Sequence, residues 1–119
     1  MVTAVTSFSR SGLSDWLLQR VTGVILLAFF GFVGYRLVGG VEYSGWVQLF
    51  EQTWMKVFTL LAILSLGAHA WIGMWGVFTD YLTERLMGAK GNVLRISLQL
   101  LTSLSLVVYV IWGIQIVWA

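Results

Sequence analysis

Cysteine and proline are both absent from the 119 residues. The first absence excludes a disulfide framework, a thiolate metal site and a thiol nucleophile. The second excludes proline kinks from any helix the chain forms. Charge is scarce too: Asp, Glu, Lys and Arg make up 10% of the chain, against roughly 25% in an ordinary soluble domain. Histidine occurs once. Apolar residues fill the space, at 59% of the sequence with a mean hydropathy of +0.88. A soluble domain of this length has too much surface for its volume to hide that many apolar side chains. A disordered chain needs the reverse balance, low hydrophobicity and high charge. The seven basic residues form no cluster with interleaved aromatics, so a nucleic-acid-binding surface is excluded as well. What remains is an all-α integral membrane protein, a single membrane domain over residues 1–119.

The charges mark the spans. Between Lys56 and Asp80 lie 23 uncharged residues, and 24 more follow Arg95. About 20 apolar residues suffice to cross a bilayer as a helix. Only 15 uncharged residues separate Arg20 from Arg36. That run becomes a span if it extends from Trp16 to Val38, with Arg36 reaching back to the interface. Three transmembrane helices are therefore expected, at about 16–38, 57–79 and 96–118. No small-residue cleavage site follows the first apolar stretch, and Arg36 interrupts it, so this segment reads as a retained helix and not a cleaved leader. The segments 39–55 and 80–94 read as loops, the former opening on Gly39-Gly40, a fair helix terminator.

Three spans put the two termini on opposite sides. One side carries Arg10, Arg20, Arg85, Lys90 and Arg95; the other carries Arg36 and Lys56, with Glu42 and Glu51 between them. The excess of basic residues assigns the N-terminus to the cytoplasm and the C-terminus to the outside. Trp16, Trp46, Trp54 and Trp118 fall near the expected interfaces, where belt aromatics sit.

His69 is the candidate for chemistry. It lies inside the second span, roughly 16 Å from the level of Asp80 at the helical rise. An ionisable group at that depth is costly and is a functional candidate by default. The plainer alternative is a neutral imidazole hydrogen-bonded to a neighbouring helix. Ala62, Ser65, His69, Gly73, Gly76 and Asp80 fall within about 40° of one line on the helix. That face is almost stripped of side chains. It permits close approach of another helix, and equally a flat macrocycle with an imidazole at its centre. The stripe and the histidine together favour a haem-type cofactor. On the first span, Trp16, Arg20, Gly23, Gly31 and Gly34 lie within about 60° of Arg20. A guanidinium facing such a groove could pair with a haem propionate or could snorkel to lipid phosphate, and both readings stand.

A single histidine cannot build a bis-histidine haem. Met74 points elsewhere on the helix, so a second ligand must come from another chain, or the iron is five-coordinate. Asp80 and Tyr81 close the second span. They either end the helix in water or form a quinone site, in which a phenol donates to a carbonyl and a carboxylate relays protons. Tyr109 and Gln115 read as packing or interface residues.

These residues carry a resemblance. The stretches Lys56-Val57-Phe58-Thr59-Leu60-Leu61-Ala62, His69-Ala70-Trp71-Ile72-Gly73-Met74-Trp75 and Thr79-Asp80-Tyr81 closely resemble the hydrophobic membrane anchor subunit of bacterial succinate dehydrogenase. The opening Ser11-Gly12-Leu13-Ser14-Asp15-Trp16-Leu17-Leu18-Gln19-Arg20-Val21-Thr22 is similar to its N-terminal segment. Val107-Val108-Tyr109-Val110-Ile111-Trp112-Gly113 is similar to its third helix. The resemblance covers nearly the whole chain, and its central motif is the specific part.

The resemblance implies a heteromeric helix bundle in a bacterial inner membrane. In that family the anchor pairs with a second one, the cytochrome b556 subunit, and the two share one haem b with an axial histidine each. His69 matches that ligand, and Arg20 matches a basic residue near the haem propionates and the quinone pocket. Tyr81 matches the tyrosine that hydrogen-bonds ubiquinone, with Asp80 its acidic neighbour. The iron–sulfur subunit and the flavoprotein subunit complete the enzyme, which oxidises succinate at a flavin outside this chain. Enterobacterial members have His where this chain has Ser14, so contacts made by that imidazole do not carry over. Two rival readings accompany this one: the anchor of a fumarate reductase, and a cofactor-free structural membrane protein that leaves His69 without a purpose. A transporter fits poorly, for lack of paired intramembrane acids and of a repeat.

Overall fold

A computed structural model of the chain describes residues 12–118. Arg10 and Ser11, which entered the charge count and the N-terminal motif, lie outside the described residues. The chain forms α1 (Gly12–Val38), α2 (Tyr43–Glu51), α3 (Thr53–Tyr81), α4 (Glu84–Met87) and α5 (Ala89–Trp118). Among the described residues there is no strand. The long helices α1, α3 and α5 hold 27, 29 and 30 residues. At about 1.5 Å per residue each exceeds the roughly 30 Å of a bilayer's hydrocarbon core. All three are long and apolar enough to cross a membrane.

The helices outrun the spans read from charge. α3 begins at Thr53, before the expected 57, and α5 begins at Ala89, before the expected 96. Lys90 and Arg95 consequently sit inside the first two turns of α5. Charge marks where a chain leaves hydrocarbon, but a helix satisfies its own backbone and continues into the headgroup layer. The segments expected as loops shrink to match: α2 occupies most of 39–55, and α4 with the start of α5 occupies most of 80–94.

Local chemistry fixes the ends. Asp15 in the first turn of α1 and Arg36 in its last turn both suit the helix dipole. Beyond Val38, Gly39 N–H donates to Tyr35 O at 3.1 Å, and Gly40 takes a left-handed φ of +80° that costs glycine nothing. At the other end, Thr83 caps α4 by accepting from Leu86 N–H at 3.3 Å, and Arg95 donates to Leu82 O at 3.3 Å. A Cβ on Gly91 would lie 2.5 Å from Thr83 O, so the entry into α5 closes only around a glycine.

α3 is the central helix, packed against both α1 and α5, with α2 resting on it too. Its contact with α5 is close: a Cβ on Gly67 would lie 2.9 Å from Val110, and one on Gly113 would lie 3.1 Å from Ile63. Small residues facing branched ones let membrane helices approach in this way. Its contact with α1 changes character along its length. Toward the end of α1 near Val38 it is aromatic, with Phe29 and Phe58 edge to face at 5.3 Å and Phe32 and Trp54 at 5.9 Å. Toward the other end it is small and polar. Among the described residues the buried apolar side chains are few (Leu49, Met55, Ala62 and Phe78), while most large ones are exposed, as lipid and neighbouring subunits demand.

Candidate functional site

The polar half of the α1–α3 contact holds the only histidine. α1 and α3 run antiparallel there: Thr22 meets His69, and Gln19 lies one turn further along, where its Nε2 is 3.5 Å from a Cβ built on Gly73. Ala62 and Ser65 are buried, and His69, Gly73 and Gly76 continue the same face of α3 toward Asp80. The small-residue stripe on the second span thus does turn toward another helix.

The stripe expected on the first span is engaged only in part: Gly23 meets His69, and Trp16 and Arg20 line the cavity beside it. Gly31 and Gly34 have nothing within 4 Å of an added Cβ. The face of α1 that meets α3 carries Asp15, Gln19, Thr22 and Phe29, which fall within about 60° of Thr22 at the helical step. Arg20 lies nearly opposite Thr22 on that wheel. It is exposed, and its guanidinium stacks over the Trp16 ring at 5.3 Å.

The His69 ring is held from α1. Thr22 Oγ1 donates to Leu18 O at 2.6 Å, a back-bond within its own helix. With its hydrogen so committed, the same oxygen meets His69 Nδ1 at 3.1 Å as an acceptor. In the tautomer this arrangement suits, Nδ1 carries the proton and Nε2 the lone pair. Nε2 makes no hydrogen bond among the described residues. Gly23 completes the seat, with His69 Cε1 3.6 Å from where its Cβ would be.

Beside the ring opens a cavity of about 730 Å³. This is within the usual range for small-molecule and cofactor sites, about 300–1,000 Å³. His69, Gly73 and Gly76 floor it from α3; Asp15, Trp16, Gln19 and Arg20 wall it from α1. Asp80 and Tyr81, both exposed at the end of α3, form its mouth. Two buried polar atoms on its wall, Gln19 Oε1 and Trp75 Nε1, have no hydrogen-bond partner among the described residues. Buried polar groups are nearly always satisfied, so such a pair marks a wall that something else completes. No group of three or more His, Cys, Asp or Glu side chains gathers among the described residues. The cavity therefore presents one nitrogen donor, one guanidinium, one phenol and two carboxylates, and no cage for a bare metal ion.

Residues 3–112 match the family described as succinate dehydrogenase/fumarate reductase transmembrane subunit. The chain is 39% identical over 112 residues to the succinate dehydrogenase hydrophobic membrane anchor subunit of Coxiella burnetii (strain RSA 493 / Nine Mile phase I), covering 92% of this chain and 91% of that protein. The chain belongs to the succinate dehydrogenase/fumarate reductase transmembrane subunit family. In this family member, His69, Arg20, Asp80 and Tyr81 all line one cavity. Met74, Tyr109, Gln115 and Ser14 do not line it.

Sequence reasoning missed Thr22, Gln19 and Trp75. A signal for Thr22 existed: Asp15, Gln19 and Thr22 are three polar residues at helical spacing on the first span. Nothing in the sequence distinguished Trp75 from the belt tryptophans.

Proposed function

We propose that this chain is the membrane anchor of a succinate:quinone oxidoreductase, that His69 ligates a haem b shared with a second anchor of the cytochrome b556 type, and that the cavity mouth serves ubiquinone. The observation that carries this reading is the seat of His69: Nδ1 lies 3.1 Å from Thr22 Oγ1, an oxygen suited to accept from it, and the ring lines a glycine-floored cavity. An imidazole that served only to bond two helices would have no need of the space.

The residues present fit the group. Haem iron accepts a neutral imidazole nitrogen, and His69 offers Nε2 in that form. Propionates need cations, and Arg20 stands at the rim, parked over Trp16. Buried donors and acceptors at the edge of a ring need partners, and Gln19 and Trp75 supply two such atoms. Any second ligand would come from the partner anchor, since this sequence has one histidine. When bound, haem supplies a one-electron store beside the quinone site.

The chemistry of this chain is then binding, orientation and proton handling. Succinate gives up two electrons and two protons on the flavoprotein subunit, and the iron–sulfur subunit carries the electrons to the membrane. Quinone reduction consumes two electrons and two protons. The Tyr81 phenol donates a hydrogen bond to a quinone carbonyl, which favours negative charge developing there. Asp80, one residue away and exposed, supplies a carboxylate that can relay protons toward that carbonyl. Basic residues fall at the mouth end of the helices (Arg20, Arg85, Lys90 and Arg95), which supports a cytoplasmic N-terminus, a periplasmic C-terminus and docking of the two soluble subunits at that end.

Tyr81→Phe tests the reading. The purified complex should lose quinone reductase activity about tenfold or more, while succinate oxidation with an artificial acceptor stays at the wild-type rate. Equal loss in both assays would contradict the role of Tyr81. Tagged wild-type chain should bring down flavoprotein and iron–sulfur subunits; their absence would remove the dehydrogenase assignment itself.

A further inference from the structure

We propose that Thr22 is a positioning residue for the His69 ligand, setting both its proton and its donor strength. The inference rests on His69 being an axial ligand. It adds a residue of the first helix that governs a ligand on the second long helix.

The argument begins with burial. Thr22 is 5% exposed, so its hydroxyl has no water to fall back on. It donates to Leu18 O at 2.6 Å and stands 3.3 Å from Gln19 O, so its hydrogen is held within α1. A Thr side chain is stiff at χ1, and this back-bond selects one rotamer. The oxygen lone pair is thereby aimed, before any ligand arrives, at His69 Nδ1 3.1 Å away. A relay results: His69 N–H to Thr22 oxygen, Thr22 O–H to Leu18 carbonyl. Hydrogen bonds in series polarise each other, and in an apolar setting the effect is larger than in water.

Three consequences follow for the imidazole. Its proton stays on Nδ1, since the other tautomer would face Nδ1 with an oxygen that has no hydrogen to give. Its plane is fixed, between the Thr22 hydroxyl and the open Cα of Gly23. Its Nε2 becomes a better donor, because hydrogen bonding from Nδ1–H shifts electron density into the ring. A stronger donor favours ferric over ferrous iron. Serine could supply the oxygen, but valine, of the same shape, could not.

The test uses the whole complex, purified with Thr22→Val, Thr22→Ser and His69→Ala chains. Haem content and a potentiometric titration of the visible spectrum are measured. In Thr22→Val the ferrous-to-ferric ratio at a fixed ambient potential should rise about fivefold, the worth of one ordinary hydrogen bond. Haem should also wash out roughly tenfold more readily, the lower end of the loss typical for a removed ligand-orienting partner. Thr22→Ser should restore both. Wild-type potential and retention in Thr22→Val would overturn the proposal, as would a Thr22→Ser chain that behaves like Thr22→Val. If the valine complex fails to assemble, Thr22→Ala, also without a hydroxyl, carries the same comparison. Full haem in His69→Ala would instead bring down the ligand assignment, and Thr22 with it, so the two failures are distinguishable.

Discussion

Gly73 separates the cavity from ordinary helix packing. A Cβ there would meet Gln19 Nε2 at 3.5 Å, an ordinary contact with the end of a flexible side chain. Gly73→Ala therefore creates no clash. Replacing an interior helical glycine by alanine gains about 1 kcal/mol of helix propensity, and leucine gains nearly as much. Gly73→Leu differs in reach: its branched end enters the cavity of about 730 Å³ beside His69. The fold should tolerate it, and a ring lying against that floor should not. The assay is thermal unfolding of the purified complex in detergent, with haem per complex read from the visible spectrum. Gly73→Ala should keep its haem and unfold at or above the wild-type temperature. Gly73→Leu should unfold no lower than wild type yet lose haem affinity at least tenfold, about 1.4 kcal/mol. Full haem in the leucine variant would refute the placement of the cofactor on this face. Loss of the fold itself would show that the glycine serves helix contact and not a ligand.

The turn between α4 and α5 gives the opposite behaviour. Gly91→Ala would set a Cβ 2.5 Å from Thr83 O and 2.8 Å from its carbonyl carbon, both backbone atoms, so it should destabilise by about 1–3 kcal/mol on thermal unfolding. Haem per folded complex should stay unchanged; a variant as stable as wild type would contradict the packing described at this turn. Topology can be tested cleanly because the chain has no cysteine. A membrane-impermeant thiol reagent should label Tyr43→Cys from the periplasm and Arg85→Cys only after the membrane is opened, and the reverse pattern would invert the proposed orientation.

The three long helices were legible in the sequence because uncharged length is a direct consequence of what a bilayer accepts. Their ends were not, because the charge of Lys90 or Arg95 limits the hydrocarbon and not the helix. The α3 face from Ala62 to Asp80 was legible for a related reason. Its residues are small at helical spacing, and Ala62 and Ser65 are buried while Gly73 and Gly76 line the cavity. On α1 the same criterion held at Gly23, which meets His69, while Gly31 and Gly34 have open space before them. Glycine in a membrane helix signals closeness only when something approaches, and the partner is not written in the helix itself. Thr22 shows the converse: one ordinary threonine gains its meaning from a residue 47 positions away. His69 stood out because it is a lone ionisable side chain at depth, but the hydroxyl that faces its Nδ1 became visible only with Thr22 and Leu18 in place.

The most direct test is the reduced-minus-oxidised visible spectrum of the purified complex, taken with wild-type chain and with His69→Ala. The account predicts a low-spin haem b spectrum in the wild type and its loss or marked weakening in the variant. An unchanged low-spin bis-histidine spectrum in His69→Ala would contradict it.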